Sequence, residues 1–362
     1  MTTVIPDLLA ALVGEIVAPD PKWLKLARTR LDGLTKPRGS LGRLEDIAAR
    51  FVAISQGEVS RPLNKAAYVF AADHGIVPEG VSAYPKEVTR QMVLNFLHEG
   101  AAINVLASLH HAALTIVDVG VDADFSDLPG LLHRKIRPGT RNMLHEPAMT
   151  ADEMLRAFQV GLELAANARE KRQTLIAVGE MGIGNTTSAS VITAVLTGQP
   201  PAAVTGLGTG LEKRAHQHKI SVVAAVIKKH FGKGSRVSEP RPLAILQCTG
   251  GLEIAAMVGF ILGAARHQIA VITDGFISTA AAALAFTIEP RVKDYLFAGH
   301  CSHEPGHRFL LEYLALNPIL GLDLRLGEGT GAVLAMPIIE SAVRLYTAMA
   351  TFASAGVSEA QA

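Results

Sequence analysis

Apolar positions change their spacing once along the chain. Over residues 6–57 they recur at helical intervals: Leu8, Leu9, Leu12 and Val13 share one face, and Leu44, Ile47, Ala48 and Phe51 share another. Between these stripes lies Lys36-Pro37-Arg38-Gly39-Ser40-Leu41-Gly42, a glycine-bearing loop, and Arg43 three residues after Ser40 denies it a capping box. From residue 66 onward short apolar runs replace the stripes. They cover 66–72, 113–119, 174–178, 243–246, 269–273 and 295–298, each bounded by small, polar or turn-forming residues. Helix-length segments separate them at 87–108, 151–169, 186–197, 212–231, 251–266 and 276–287. Residues 331–354 return to an Ala, Leu, Ile and Met pattern and read as one long C-terminal helix.

Strand-length runs that are apolar throughout, alternating with helices, predict a three-layer α/β/α fold on a mostly parallel, Rossmann-like sheet covered on both faces. The N- and C-terminal helices would pack together as a small helical domain. The expected division is 1–60 for its N-terminal segment, 61–325 for the large α/β domain and 326–362 for the segment that completes the small one. Ligands of such folds bind beyond the carboxyl ends of the strands, where this chain also gathers its Gly and Asp residues. One site assembled from many loops is therefore expected.

Composition narrows the partners. Of 362 residues 49% are hydrophobic, enough for a large core, and 34 Lys and Arg against 33 Asp and Glu give a net charge of +1. That balance offers nothing to nucleic acid or an anionic membrane, and 5% aromatics leave no base-stacking platform. Two cysteines, Cys248 and Cys301, make no disulfide framework and suit a reducing compartment. The N-terminus lacks a positive region followed by an apolar core, and the apolar run 254–265 is too short to span a bilayer. A cytoplasmic protein is expected.

Several strand-end segments could carry chemistry. Gly179-Glu180-Met181-Gly182-Ile183-Gly184-Asn185-Thr186-Thr187 follows a strand and opens a helix. Its glycines would let backbone N–H groups approach an anion at a helix start; a tight structural turn is the other reading. It fits neither a dinucleotide fingerprint nor a Walker loop. Thr205-Gly206-Leu207-Gly208-Thr209-Gly210-Leu211 is a second glycine cluster, and Lys219 beyond it would neutralise a phosphate, unless it is an ordinary surface lysine. Asp73-His74-Gly75 and Asp274-Gly275-Phe276 each place a carboxylate after a strand, to bind a sugar hydroxyl or to cap the next turn. His303, Glu304 and His307 match a zinc-binding His-Glu-x-x-His pattern, which needs a helix; Pro305-Gly306 in its middle should break one, leaving a turn in which Ser302 could meet a phosphate oxygen. Leu326-Gly327-Glu328-Gly329-Thr330-Gly331 sets a carboxylate among glycines and leucines before an apolar helix. Burial would raise its pKa toward that of a general base, whereas a helix-start charge, with Thr330 as a possible cap, is the plainer account.

Taken in order, these blocks resemble the nicotinate-nucleotide–dimethylbenzimidazole phosphoribosyltransferase family. The matching stretches are Lys36-Pro37 with Gly39-Ser40-Leu41-Gly42-Arg43-Leu44-Glu45, Ala72-Asp73-His74-Gly75, Glu79-Gly80-Val81-Ser82, Glu87-Val88-Thr89, the Glu180 loop and both glycines of the Gly208-Thr209-Gly210 turn. They continue through Gly250-Gly251-Leu252-Glu253, Asp274-Gly275-Phe276-Ile277-Ser278-Thr279, Glu304-Pro305-Gly306-His307 and the Glu328 segment. The resemblance implies a pentosyltransferase of cobalamin biosynthesis. It would move the phosphoribosyl group of nicotinate mononucleotide to 5,6-dimethylbenzimidazole, giving α-ribazole 5′-phosphate and nicotinate, as a homodimer without cofactor or metal. It implies Glu328 as the catalytic base. It implies Glu180, Gly182, Ile183, Gly208, Gly210, Lys219, Asp274, Gly275 and Ser302 as phosphoribosyl or phosphate contacts, and Ser82, Tyr84 and Gln91 as neighbours of the benzimidazole. Leu207 stands where the family often has arginine, and His300-Cys301-Ser302-His303 varies the usual run. A non-catalytic azole binder and a zinc hydrolase are the competing classes.

Overall fold

The computed structural model describes residues 4–59, 62–125, 128–208, 210–232 and 241–358. Three helices, α1 (Val4–Glu15), α2 (Pro21–Asp32) and α3 (Arg43–Ile54), precede β1 (Lys65–Ala72). Then come α4 (Glu87–Leu97), α5 (Ala102–Leu109), β2 (Ala113–Gly120), β3 (Leu131–His133), α6 (Ala151–Glu170) and β4 (Leu175–Met181). Four helices follow: α7 (Asn185–Thr197), α8 (Pro201–Val204), α9 (Lys213–Phe231) and α10 (Pro242–Thr249). The rest is α11 (Leu252–Arg266), β5 (Ala270–Thr273), α12 (Phe276–Ile288), β6 (Leu296–Ala298), α13 (Pro305–Leu314), α14 (Thr330–Ala348) and α15 (Phe352–Ala355).

The six strands form one sheet in the order β3-β2-β1-β4-β5-β6, every pair parallel. This is the doubly wound order, whose direction reverses between β1 and β4. β1, β5 and β6 are buried at every position, as strands covered on both faces must be. One face is sealed by α11, buried from Leu252 to Ala265, which lies directly against α6. Tyr68 and Phe70 of β1 pack their rings against Phe260 of that helix, one tilted and one edge-on, at centroid distances of 4.9 and 5.8 Å. Across the molecule α3 packs on both α2 and α14, so the two chain ends meet, and one continuous hydrophobic core includes them and the sheet.

Four expectations are corrected. Residues 243–246 are not a strand but the middle of α10, which Pro242 starts. The single helix expected over 87–108 is two, because Glu99 takes a left-handed φ of 60° and Gly100 packs against Asn95. Among the described residues Glu87–Leu109 is the one stretch long and apolar enough to cross a bilayer, and neither half, of 11 and 8 residues, is. Pro305 starts α13 instead of ending a helix, since its missing N–H costs nothing in a first turn. The C-terminal helix stops at Ala348 and carries Pro337 inside it.

Candidate active site

A pocket opens beyond the carboxyl ends of β4, β5 and β6. Its walls are Glu180 at the end of β4 with Gly182, Ile183 and Thr186 beyond it, Asp274 and Gly275 after β5, and His300, Ser302 and Glu304 after β6, with Gly208 and residues 325–327 closing it. Seven of the expected residues thus meet here: Glu180, Gly182, Ile183, Gly208, Asp274, Gly275 and Ser302. Gly210 lines an adjoining hollow that shares Gly208, Glu304 and Arg325; Thr209 lies outside the described residues. Ser82, Tyr84 and Gln91 line no wall of this pocket. Tyr84 is 49% exposed, and its N–H donates to Ser82 Oγ at 3.1 Å.

Glu328 sits directly behind the Gly327 wall. Gly327, Glu328 and Gly329 take φ values of 89°, 64° and 91°, three left-handed residues in succession. The turn fits because Gly179 of β4 has no side chain: a Cβ there would lie 2.5 Å from the Glu328 carbonyl carbon. The carboxyl is 5% exposed and accepts the Ile103 N–H at the start of α5, and its Oε2 has no partner. Burial, helped by the charge of Asp274, raises its pKa to about 7. The capping account of this segment does not hold, for Thr330 Oγ1 donates to Gly327 O and α14 has Gly329 at its N-cap.

Other carboxyls crowd the same strand ends. Glu180 is pushed up to about 8 by burial and by the nearby charges of Glu253, Asp274 and Glu328, although Asn185 Nδ2 donates to it. Glu253 meets His74 Nε2 at 2.6 Å, and His74 Nδ1 lies 3.2 Å from Ser188 Oγ, all three buried beneath the 182–184 loop. Asp274 is 2% exposed; its Oδ1 accepts from Ala332 N at 3.0 Å and its Oδ2 from Gly329 N at 3.2 Å. Burial raises its pKa, while His300 and these N–H groups pull it back. Asp73 accepts the Asp122 N–H at 2.7 Å, joining the ends of β1 and β2.

Arg325 is the cation on the pocket wall, and Lys219 is a buried cation behind it that reaches the wall through Thr186. Lys219 is 1% exposed, so it is no surface lysine; its Nζ donates to Thr186 Oγ1 at 2.7 Å. Burial lowers its pKa to about 8 against the opposing charge of Glu304. Glu304 Oε1 accepts the Gly208 N–H at 2.8 Å and its Oε2 is unpartnered. A carboxylate thus already lies against the glycine cradle. Ile183 N donates to Thr89 Oγ1, so the 182–184 turn is also fixed from within the protein. Ser302 Oγ donates to Leu324 O at 3.3 Å, and Ser302 N donates to His307 Nδ1. His307 Nε2 faces Thr279 Oγ1 at 3.0 Å, and burial lowers its pKa to about 3. With both ring nitrogens engaged, and His303 outside α13, the pair forms no zinc face.

Sequence patterns missed Thr186 and Arg325. Thr186 was visible only as part of a helix start, and Arg325, between two leucines, gave no signal of facing a pocket.

Comparison with known proteins agrees with this geometry. A family model described as phosphoribosyltransferase matches residues 16–357. The nicotinate-nucleotide–dimethylbenzimidazole phosphoribosyltransferase of Geobacter sulfurreducens is 48% identical over 97% of this chain and 99% of its own length. That of Thermus thermophilus is 51% identical over 94% of this chain and 99% of its own. A solved structure of CobT from Thermus thermophilus superposes with a TM-score of 0.87 at 50% identity, covering 94% of this chain and all of that one. The chain belongs to the nicotinate-nucleotide–dimethylbenzimidazole phosphoribosyltransferase family.

Proposed function

We propose that this protein transfers the phosphoribosyl group of nicotinate mononucleotide to a ring nitrogen of dimethylbenzimidazole, releasing nicotinate and forming α-ribazole phosphate. The observation that carries this reading is Glu328: a buried carboxyl with one unpartnered oxygen and a pKa of about 7, at the sheet end beside a pocket that Gly182, Gly208, Gly275 and Gly327 help to line. The names of its full-length relatives support the substrates.

The chemistry asks little else of the protein. In the mononucleotide the pyridinium nitrogen carries a positive charge and departs as a neutral ring nitrogen, taking the electron pair of the ribose C–N bond. The azole nitrogen forms the new bond from the opposite face, and its N–H proton passes to the Glu328 carboxylate. A single displacement inverts the sugar carbon without a covalent enzyme intermediate. Positive charge builds on the ribose as the bond breaks, and the Glu328 carboxylate, before it takes the azole proton, suits it electrostatically. Lys219, Gly208, Gly210 and Ser302 are the proposed phosphate contacts, with Gly182, Ile183 and Gly275 shaping the ribose floor. Ser82, Tyr84 and Gln91 are proposed for the azole side. Glu328 accepts from α5, the helix that follows the one bearing Gln91, and this supports an azole approach from there.

The same reading takes residues 1–60 and 326–362 as the small domain, the assembly as a homodimer and the cytoplasm as the location. The assay is direct. Protein incubated with nicotinate mononucleotide and dimethylbenzimidazole should release nicotinate in step with a riboside phosphate, resolved by chromatography. Azole binding without nicotinate release would sink the enzyme reading and leave a binder.

A further inference from the structure

We infer that Asp274 is a positioning residue that holds Glu328 in its reactive place by capping the first turn of α14 from the end of β5. The inference rests on the reading of Glu328 as the base. Aspartates after strands commonly cap the helix that follows them. Asp274 does not. Its own N–H donates to Ser278 Oγ at 2.8 Å, while its carboxylate reaches 55 and 58 residues along the chain to Gly329 N and Ala332 N. These are two of the orphan donors that every helix start leaves, and α14 has no side-chain cap of its own.

The clamp is needed because the turn is unfavourable. A left-handed Glu between two left-handed glycines would relax if its neighbours were free. It is held on three sides: by the bare Gly179 backbone of β4, by Asp274, and by His300 and Gly299 after β6. His300 Nε2 lies 3.7 Å from Asp274 Oδ1, and its ring fills the space where Gly331 has no side chain. Gly299 likewise abuts the backbone of Ala332. The ends of three adjacent strands thus converge on one turn, whose residue 328 is the proposed base. With each oxygen held by a backbone N–H group of this turn, Asp274 is placed to act through Glu328.

Asp274→Asn puts an NH2 group against one of the two backbone donors. The expected result is a folded protein whose kcat falls at least about tenfold, with the KM for nicotinate mononucleotide within about twofold of the parent; misplacement of a reacting group by an ångström costs on this scale or more. A double-mutant cycle supplies the readout that a merely structural role would not move. In the Glu328→Gln background, Asp274→Asn should add less than about a twofold loss, because the group it positions is already gone. A further loss close to that of the single variant, or a rise of more than about fivefold in KM, would overturn the inference in favour of direct contact with substrate. Near-parental turnover of Glu328→Gln alone would remove the reading beneath it. If Asp274→Asn does not fold, Gly329→Ala disturbs the same turn with Asp274 intact, and it should show the same split: kcat lost, KM kept. A KM effect there overturns the inference equally.

Discussion

Glu328 is held in a backbone region that costs a non-glycine residue on the order of 1–3 kcal/mol, and the surroundings that enforce it also desolvate its carboxyl. The consequence is a pH dependence. Below its pKa Glu328 carries a proton and cannot take one from the azole. The kcat/KM profile should therefore rise with pH along an acid limb near 7 and then level; a profile flat between about pH 5 and 8 would contradict a glutamate base. Glu180 affects stability instead. Its folded pKa, about 8, is raised above the ordinary 4.5, so the folded state holds the proton more tightly than the unfolded chain. The stabilisation is full below 4.5 and is lost as pH rises through about 8. The parent's melting temperature should fall across that window, and Glu180→Gln, which stays neutral, should flatten most of the fall. An equally steep fall in the variant would show that Glu180 does not carry it.

At the scale of elements, helix α6 and helix α11 approach so closely that glycines are required for space. A Cβ on Gly161 would lie 1.9 Å from Ala256 O, and one on Gly259 would lie 2.0 Å from Phe158 O. Gly161→Ala should cost about 1–3 kcal/mol by overpacking. Calorimetry should show a lower melting temperature, while the folded fraction turns over at the parent rate. An unchanged melting temperature would mean the helices separate freely.

The same elements explain what the sequence could disclose. Residues 66–72 and 269–273 read as strands because complete burial makes every position apolar. Residues 243–246 misled for the same reason: a run of Leu, Ala, Ile and Leu is equally a buried helix, and only its continuation to Thr249 decides it. β3 spans three residues, of which Leu131 alone is buried, and leaves no pattern. Glu180, Gly182, Asp274 and Gly275 were legible because the turns at the ends of β4 and β5 display Gly, Asp and Glu locally, and Gly208 through its glycine cluster after α8, whereas Ile183 was implied only by the resemblance. The burial of Lys219 beside Thr186, and the reach of Asp274 to α14, depend on contacts 33 and 55 residues apart, which no local pattern records.

At the scale of the molecule, the sheet reverses its winding at β1 and β4, and the glycine loop after β4 forms one wall of the pocket beside that point. The Glu328 turn belongs to the segment joining the sheet to α14, which packs against α3 near the other chain end. Chemistry and the meeting of the chain ends are thereby linked. For the proposed homodimer, sedimentation should give twice the 38.2 kDa mass of the chain; a single-chain mass at micromolar concentration would refute it.

The central claim is that Glu328 removes the azole proton. Single-turnover kinetics of Glu328→Gln with nicotinate mononucleotide and dimethylbenzimidazole test it most directly. The account expects both substrates to bind at near-parental affinity and the rate of nicotinate release to fall at least about a hundredfold, the scale of general-base catalysis. A release rate within about threefold of the parent would contradict it.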